Sequence, residues 1–425
     1  MIKKLMTIFD IPKIIKSKGI KSKDTLDLIT PCDVLIFCSD LNRGVTLNNQ
    51  AYSSLIDSVK DDIQAKGFTS ISVAYPGSVL TGRKGYGNPI SINRSYLSAK
   101  ILTTLFYRFG LRLDIKLYER IINKSNPKLI VSISCNSLLC EAARNLEVFH
   151  AELLHGIGYN AIPWDWDKKE KKHLPQCILS LDEVSTQSFS ELQRHNIIIK
   201  NIPHPFLRRF QGEYIKKIPN EWLPSKRKNQ YNKEILISLQ WGYTPGIDEL
   251  ELFTGVLANG LFYDEIEEVI KRTHGTIFWR FRFHPVQYRQ PEKYKKLFRF
   301  IEIFVGKYEN CDWEESTYMP LPSLLSRSSG HITMSSMASY EAAYLGVPTL
   351  ALGPSLIEGK AHENLFDDLV TQNYLIKQSP QVDNILEWVN SVEKKEPLLD
   401  SLSEKESQVN TVDWLFEQAE KSTIK

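Results

Sequence analysis

The chain has 425 residues, too many for one ordinary core and enough for two domains of about 150–200 residues each. Apolar residues make up 42% and charged residues 24%, which is typical of a globular protein. The net charge of +3 is too small to indicate a nucleic-acid partner. None of the six cysteines forms a CxxC pair, which argues against a zinc site and indicates a reducing compartment.

The first 21 residues, MIKKLMTIFDIPKIIKSKGIK, have the pattern of a short basic amphipathic helix. Such a helix either packs on its domain or makes a peripheral contact with a membrane surface. We find no apolar core with a cleavage-like site and no stretch near 18 consecutive apolar residues, so we predict neither a signal peptide nor a transmembrane helix. The expected location is the cytoplasm, and a membrane contact through this helix would place the protein at the cytoplasmic face of the inner membrane.

Short apolar runs alternate with helix-period segments in the first half of the chain, which is typical of parallel α/β folding. The predicted strands are Val34–Ser39, Ile71–Tyr75, Leu129–Ser134, Phe149–Leu153 and Cys177–Leu181. The predicted helices are Asn49–Lys66, Ser95–Lys124, Ser137–Asn145 and Thr186–His195.

A second α/β series follows a polar, basic stretch, 216–233, that contains two prolines and the run SKRK. Its predicted strands are Ile235–Leu239, Phe278–Phe283, His331–Met334 and Thr349–Leu352. Its predicted helices are Asp248–Ala258, Tyr263–Lys271, Tyr288–Val305, Leu321–Ser326, Ala338–Leu345 and Glu363–Thr371. We therefore predict an N-terminal Rossmann-like domain over 1–215, a linker over 216–233, a second Rossmann-like domain over 234–397 and a C-terminal helical segment over 398–425.

Two consecutive doubly wound sheets imply a cleft between them, and such sheets bind ligands at the carboxyl ends of their strands. The strand Phe278–Phe283 carries Arg280, Arg282 and His284 on its polar face and is followed by Pro285. A histidine at this edge is able to donate a hydrogen bond to a phosphate oxygen. The alternative is a strand-end histidine that serves only the local turn.

A second motif follows the predicted strand His331–Met334, where Ser335 and Ser336 lead into a helix that carries Glu341. Backbone N–H groups at a helix start, together with serine hydroxyls, bind anions. Glu341 lies one turn into the helix, within range of ribose hydroxyls. The alternative is an ordinary serine cap with a solvent-facing glutamate.

The order of these motifs favours a ligand site, because they lie about 50 residues apart on what we predict to be neighbouring strands. An imidazole, a hydroxyl-rich helix start and an acid at ribose distance together predict a cradle for a nucleotide mono- or diphosphate. Helix dipole, histidine and hydroxyls suffice to stabilise a leaving phosphate, so neither a metal nor a cofactor is expected.

The segment from His331 to Pro354 looks like the donor-binding segment of GT-B glycosyltransferases. An HP motif followed by an SS motif resembles bacterial transferases that use CMP-activated acids, namely sialyltransferases, polysialyltransferases and capsular β-Kdo transferases. By this resemblance Gln240, Arg282, His284, Pro285, Ser335, Ser336 and Glu341 bind the donor. The GT-B likeness also implies a C-terminal helix that crosses back to the first domain.

Similarity to the β-Kdo family extends over about residues 235–360 and implies that Asp248 faces the anomeric carbon as the nucleophile of a retaining double displacement. The family has a shorter gap between its Gln and Asp than the seven residues that separate Gln240 from Asp248 here. Glu249 and Glu251 are therefore alternatives for this role.

The N-terminal half offers Glu152 and His155 at the end of a predicted strand, followed by Gly156 and Gly158. Similar Glu…HG loops occur in surface-polysaccharide transferases, where either residue would deprotonate or orient an acceptor hydroxyl. The alternative is a structural loop. Trp164 and Trp166 follow and suit either stacking on sugars or core packing.

These motifs predict an enzyme that transfers a sugar, Kdo from CMP-Kdo being favoured, onto an O-antigen, capsule or lipooligosaccharide. The acceptor is expected to be a glycan or a lipid-linked glycan, and no nucleic acid is expected as a partner. Alternatives are a CMP-sialic acid or NDP-sugar transferase, a nucleotide-sugar epimerase, and a catalytically degenerate GT-B partner protein.

Overall fold

The computed structural model describes residues 23–76, 84–106, 109–134, 136–225, 231–242, 256–398 and 410–423. The chain forms two compact units. Unit 1 comprises residues up to Phe206 together with the segment from Asp400 onward, and unit 2 comprises Leu207–Leu399. The predicted N-terminal amphipathic helix lies outside the described residues.

Unit 1 contains a six-stranded sheet within the described residues, in the order β4-β1-β6-β7-β8-β9, with every neighbouring pair parallel. The central strands are buried and mainly apolar because parallel sheets are covered on both faces, although β6 and β7 also carry Ser132, His150 and Glu152. A smaller sheet is formed by β2, β3 and β5. The strands are β1 Val34–Cys38, β2 Val45–Leu47, β3 Gln50–Tyr52, β4 Ser70–Ala74, β5 Lys84–Gly85, β6 Leu129–Ile133, β7 Phe149–Leu153, β8 Cys177–Ser180 and β9 Ile198–Asn201.

The helices of unit 1 differ from prediction at three places. The helix predicted over Thr186–His195 is an α-helix over Glu183–Phe189 that continues as a 3-10 helix over Ser190–His195. The helix predicted from Asn49 begins only at Ile56, because the chain first forms β3. The helix predicted over Ser95–Lys124 is two helices, since Gly110 adopts a φ of +71° between them. Up to residue 206 the helices are α1 Ile56–Ala65, α2 Asn93–Leu105, α3 Leu113–Ser125, α4 Ser137–Asn145 and α5 Glu183–Phe189.

The sheet of unit 2 has the order β12-β11-β10-β13-β14-β15, and all its neighbouring pairs are parallel. Numbered within the unit this is 3-2-1-4-5-6, the order of the doubly wound Rossmann fold. The strand order reverses between β10 and β13, which is the switch point where such sheets bind ligands. The strands are β10 Lys233–Ser238, β11 Ile277–Arg282, β12 Cys311–Asp312, β13 Gly330–Thr333, β14 Thr349–Ala351 and β15 Leu375–Lys377.

Helices cover this sheet and bury an apolar core. The core includes Trp279 and Phe281 of β11 and Phe283, which directly follows that strand. Tyr294 and Ile301 of the covering layer are also buried there. The helices are α6 Glu265–Arg272, α7 Pro285–Tyr288, α8 Lys295–Val305, α9 Glu314–Tyr318, α10 Leu321–Leu325, α11 Ala338–Tyr344, α12 Asp367–Thr371 and α13 Val382–Ser391.

The last helix, α14 Thr411–Thr423, belongs to unit 1 although the chain reaches it only after completing unit 2. The ring of Phe416 stacks on that of Phe68 with centroids 3.9 Å apart. Asp413 Oδ2 lies 2.6 Å from Lys66 Nζ. The helix therefore returns to the first unit, as the GT-B resemblance implies.

The predicted fold class, two consecutive Rossmann-like units built on parallel sheets, is confirmed. The boundary between the units lies at Phe206 and Leu207, upstream of the predicted linker over 216–233. Within the described ranges, no helix combines the length and the apolar character that crossing a bilayer requires.

Candidate functional site

The predicted donor residues follow three neighbouring strands of unit 2. Gln240 comes after β10, His284 after β11, and Ser335 with Ser336 after β13. Because β10 pairs with both β11 and β13, these three strand ends are adjacent at the carboxyl edge of the sheet. This edge includes the switch point, where a doubly wound sheet offers a crevice to a ligand.

His284 is fixed by the short helix α7, which begins directly after it. The imidazole Nδ1 accepts a hydrogen bond from the backbone N–H of Val286 at 3.3 Å. The backbone N–H of His284 donates to Gln287 Oε1 at 3.0 Å. In a neutral imidazole this arrangement leaves the proton on Nε2, which makes that atom a donor. Pro285 opens α7, where its missing N–H costs no helical hydrogen bond.

The end of β10 contacts His284 directly. The indole of Trp241 stacks on the imidazole with ring centroids 5.9 Å apart and planes 18° apart, and Trp241 Nε1 donates to Tyr294 Oη at 2.9 Å. Gln287 Nε2 donates to the backbone carbonyl of Gln240 at 3.3 Å. The side-chain Oε1 of Gln240 is buried and has no hydrogen-bond partner among the described residues, so a polar atom remains to be satisfied at this edge.

Ser336 organises the turn between β13 and α11. The side-chain Oγ accepts a hydrogen bond from the backbone N–H of Ala338 at 3.2 Å, and the backbone N–H of Ser336 donates one to Thr333 Oγ1 at 3.3 Å. Since the hydroxyl oxygen acts as the acceptor, its hydrogen is still able to donate to an anion. Gly353 lies behind this turn, where a Cβ would come within 2.5 Å of the Met334 carbonyl oxygen. The Ser336 hydroxyl therefore both orders this turn and lines its edge.

Glu341 and Arg282 interact electrostatically across this edge. Burial raises the pKa of the Glu341 carboxyl to about 7, and the positive charge of Arg282 opposes part of that rise. Arg282 itself donates through Nη1 to the carbonyls of Ser316 and Met319, each at 2.6 Å, which orients its guanidinium. Burial lowers the pKa of Arg282, while the charges of Tyr288 and Glu341 act in the opposite direction.

The other arginine of β11 has a structural role. Arg280 is fully buried, and it pairs with Glu234 at 2.7 Å and with Glu315 at 3.0 Å. Asp312 lies 3.6 Å away. The two arginines on the predicted polar face of this strand therefore differ in role. Arg280 links elements around the sheet, and Arg282 lies near Glu341.

The predicted nucleophile Asp248 and its alternatives Glu249 and Glu251 lie outside the described residues. The nucleophile role of Asp248, with Glu249 and Glu251 as alternatives, therefore stays a prediction from the resemblance to the β-Kdo family.

Glu152 and His155 of unit 1 have different environments. Glu152 lies within β7, is 2% exposed, and accepts a hydrogen bond from Ser132 Oγ. The same hydroxyl lies 2.6 Å from Nε2 of the buried His150. His155 lies beyond the strand, where partial burial lowers its pKa, and its Nε2 is 3.2 Å from Tyr159 Oη. The structure thus places Glu152 in a buried polar network and His155 at the surface.

The switch point of unit 1 lies between β1 and β6, where the sequence already places Asp40, Asn42 and Arg43 after the first strand, and the structure adds Asp57 to these groups. Arg43 is buried and donates to Asp57, and its Nε lies 3.5 Å from Asp40 Oδ1. Burial raises the pKa values of Asp40 and Asp57, and the charge of Arg43 opposes both shifts. Asn42 Nδ2 bridges to Ser134 Oγ at 3.2 Å. Asp57 gave no signal because it fell inside a predicted helix.

In the part of the chain that the structure describes, no group of three or more His, Cys, Asp or Glu side chains is arranged to hold a metal ion.

No protein-family model and no curated protein matches the sequence. Solved structures match it at low identity. The UDP-GlcNAc 2-epimerase of Methanocaldococcus jannaschii is 11% identical, with 92% of this chain and 99% of that chain covered and a TM-score of 0.51. The chain has the GT-B fold. Two further matches are the UDP-GlcNAc 2-epimerase of Neisseria meningitidis bound to UDP-GlcNAc, at 14% identity, 88% and 98% coverage and a TM-score of 0.45, and the wall teichoic acid polymerase TagF, at 14% identity, 100% and 96% coverage and a TM-score of 0.47. At these identities the likeness concerns the fold alone.

Proposed function

We propose that the protein is a nucleotide-sugar-dependent glycosyltransferase that builds a bacterial surface glycan. The observation that carries this proposal is the convergence of Gln240, His284 and Ser336 on adjacent strand ends at the switch point of unit 2. Glu341 and Arg282 lie near the same edge and interact electrostatically. Hydrogen-bond donors for a phosphate and a carboxylate for ribose hydroxyls are the kinds of group that a nucleotide site requires.

In this mechanism His284 Nε2 and the hydroxyls of Ser335 and Ser336 donate hydrogen bonds to the phosphate. Such donors stabilise the negative charge that develops on the phosphate as the sugar departs. Glu341 accepts hydrogen bonds from ribose hydroxyls. Trp241 holds the imidazole in place by stacking on one of its faces.

The favoured donor is CMP-Kdo, on the strength of the HP and SS motifs. Asp248 is then the nucleophile of a retaining displacement, with Glu249 and Glu251 as alternatives. CMP-sialic acid would fit the same motifs. A UDP-sugar is the main rival, because the M. jannaschii protein of the same fold is a UDP-GlcNAc 2-epimerase. That likeness also makes an epimerase the second candidate function.

We further propose that the acceptor is a glycan carried on a lipid at the cytoplasmic face of the inner membrane. His155 is the better candidate for the residue that accepts the proton of the acceptor hydroxyl. Its partial burial lowers the pKa, which keeps the imidazole unprotonated, and so able to accept a proton, near neutral pH. Glu152 would act by supporting the buried network around Ser132 and His150.

Calorimetric titration of the protein with CMP, UDP and GDP tests the donor class. We expect CMP to bind most tightly. A clear preference for UDP would overturn the Kdo and sialic-acid proposals, and turnover of UDP-GlcNAc without an acceptor would favour the epimerase. If no nucleotide binds, a catalytically degenerate GT-B partner protein becomes the better description.

Replacing His284 with alanine tests the phosphate site. We expect His284→Ala to weaken nucleotide binding by roughly 1.5–3 kcal/mol, the value of one charge-assisted hydrogen bond. His274→Ala is the matched control, because His274 is exposed and precedes β11, at the opposite edge of the sheet. Equal affinities of the two variants would remove His284 from the site.

Replacing Asp248 with alanine tests the chemistry separately from binding. We expect Asp248→Ala to abolish sugar transfer and to leave nucleotide affinity nearly unchanged. Unchanged turnover would exclude Asp248 and direct attention to Glu249 and Glu251.

A further inference from the structure

The loop that follows β7 holds two tryptophans with opposite environments. Trp166 is 4% exposed and belongs to a core cluster of unit 1, where it packs against Phe189 with ring centroids 5.9 Å apart. Trp164 is 48% exposed. Its ring lies 4.9 Å from that of His155 and 5.7 Å from that of Tyr159. Trp164, His155 and Tyr159 thus form an aromatic platform, supported from below by Trp166.

The backbone under this platform adopts an uncommon conformation. Trp164 has a φ of +58° and Asp165 a φ of +53°, so two consecutive residues with side chains are left-handed. Bulky residues rarely occupy this region, and such residues cluster at ligand sites. Burial would explain a strained tryptophan in a core, but half of this side chain faces solvent. The conformation therefore points to a use for the exposed indole face.

The platform is anchored rather than loose. Gly158 N donates to Asp182 Oδ2 at 3.0 Å, and Tyr159 N donates to Ser185 Oγ at 3.1 Å. Both acceptors lie at the start of α5, which follows the neighbouring strand β8. These bonds fix the phenol ring beside His155.

Polar groups surround the aromatic faces. Tyr159 Oη and His155 Nε2 lie 3.2 Å apart, and Asp165, the residue after Trp164, carries an exposed carboxylate paired with Lys168 Nζ at 2.7 Å. A pyranose ring has a complementary surface, because one face presents C–H groups while the hydroxyls project from its edge. Aromatic side chains with a polar end suit such amphipathic ligands.

We propose that the aromatic platform of His155, Tyr159 and Trp164 is a binding subsite for a pyranose ring of the acceptor glycan. This inference rests on the proposed function, which assigns the nucleotide to unit 2 and leaves the second substrate for unit 1. The platform follows β7, next to β6, at the carboxyl edge where the unit 1 sheet would bind a ligand.

Saturation-transfer NMR on the full-length protein tests this subsite. The probes are the methyl pyranosides of glucose, galactose and N-acetylglucosamine at millimolar concentration, with cytidine and uridine as competing ring ligands. We expect saturation of the C–H protons of at least one pyranoside. Trp164→Ala should weaken that binding by about tenfold, as expected for one lost stacking contact. Trp164→Tyr should recover part of it.

Phe109→Ala is the matched control, since Phe109 is a 79% exposed aromatic residue of the same unit and lies in a different loop. It should leave pyranoside binding unchanged. If no pyranoside is saturated by the wild type, if Trp164→Ala binds as well as the wild type, or if only the nucleosides respond, the subsite is overturned. Calorimetric binding of CMP or UDP would remain intact in each of those cases, so the loss of the subsite is distinguishable from failure of the proposed function.

Discussion

At the scale of single residues, Glu341 links protonation to ligand binding. Burial raises the pKa of its carboxyl from 4.5 to about 7, and Arg282 limits the rise. The side chain therefore changes charge close to neutrality, and its ionised form is the better acceptor for ribose hydroxyls.

We expect nucleotide affinity to increase as the pH passes upward through about 7, because Glu341 then becomes ionised. Calorimetry on the wild type and Glu341→Gln, in parallel, measures this effect. The ratio of their affinities isolates Glu341, since ionisation of the nucleotide phosphate affects both proteins alike. A ratio that stays constant across neutrality would show that the carboxyl does not contact the ligand.

The raised pKa of Glu341 also affects the stability of the folded protein. The folded protein binds this proton more tightly than the unfolded chain, so the contribution of Glu341 to the free energy of unfolding decreases as pH rises from about 4.5 to about 7. Urea denaturation across this range should show Glu341→Gln gaining stability relative to the wild type as the pH rises. A difference that shrinks with rising pH would contradict the assigned direction of the pKa shift.

Trp164 offers a second test at this scale. Because its φ is +58°, Trp164→Gly should be more stable than Trp164→Ala by about 1 kcal/mol, as measured by denaturant unfolding. Ser98 provides the control, since it is exposed within α2, where alanine should be more stable than glycine. If alanine is preferred at both positions, the backbone of the aromatic platform is not left-handed in solution.

At the scale of elements, the sheet of unit 2 is connected by buried polar side chains. His331 of β13 bridges Ser238 Oγ of β10 at 2.8 Å and Thr349 Oγ1 of β14 at 3.0 Å, and burial lowers its pKa to about 3, so the imidazole stays neutral. Arg280 connects β11 to carboxylates of β10 and of α9.

We expect Arg280→Ala to destabilise unit 2 by about 3–5 kcal/mol, because Glu315 would remain largely buried without this cation and Glu234 would keep only its pair with Arg327. Thermal unfolding measures this loss. Arg272→Ala is the control, since Arg272 is half exposed in its pair with Glu268 and should cost at most about 1 kcal/mol. If Arg280→Ala and Arg272→Ala lose the same stability, the ion pairs of Arg280 are exposed to solvent.

The sequence predicts the central strands well because a strand buried on both faces is mainly apolar, as β1 is throughout and β6 is apart from Ser132. The short strands β2, β3, β5, β9, β12 and β15 were missed, since two to four residues carry too little periodicity. The strand-end positions of His284 and Ser336 follow from the pattern alone. The stacking of Trp241 on His284 does not, because it depends on how β10 and β11 pair.

At the scale of the whole molecule, α14 completes a unit that the chain left about 200 residues earlier. It lies against β6 and β7 and buries Val412, Leu415, Phe416 and Ala419 along one face. Both of these strands belong to unit 1.

We expect deletion of residues 400–425 to reduce hydrogen-exchange protection in β6 and β7 and to leave β10 and β13 unchanged. The reason is that α14 is part of unit 1 and that unit 2 keeps its own core. Phe416→Ala should produce a smaller loss at the same strands. Equal loss of protection in both units would show that they unfold as one cooperative body.

The return of α14 also sets an order of events during synthesis. A ribosome adds about 5–20 residues per second, so roughly ten to forty seconds separate the emergence of Phe206 from that of Thr423. Unit 2 is able to complete its fold within that interval. Until α14 emerges, the surface of unit 1 that α14 covers stays exposed and accessible to chaperones. The unit that is begun first is therefore finished last, and slow codons within 207–399 would prolong its exposure.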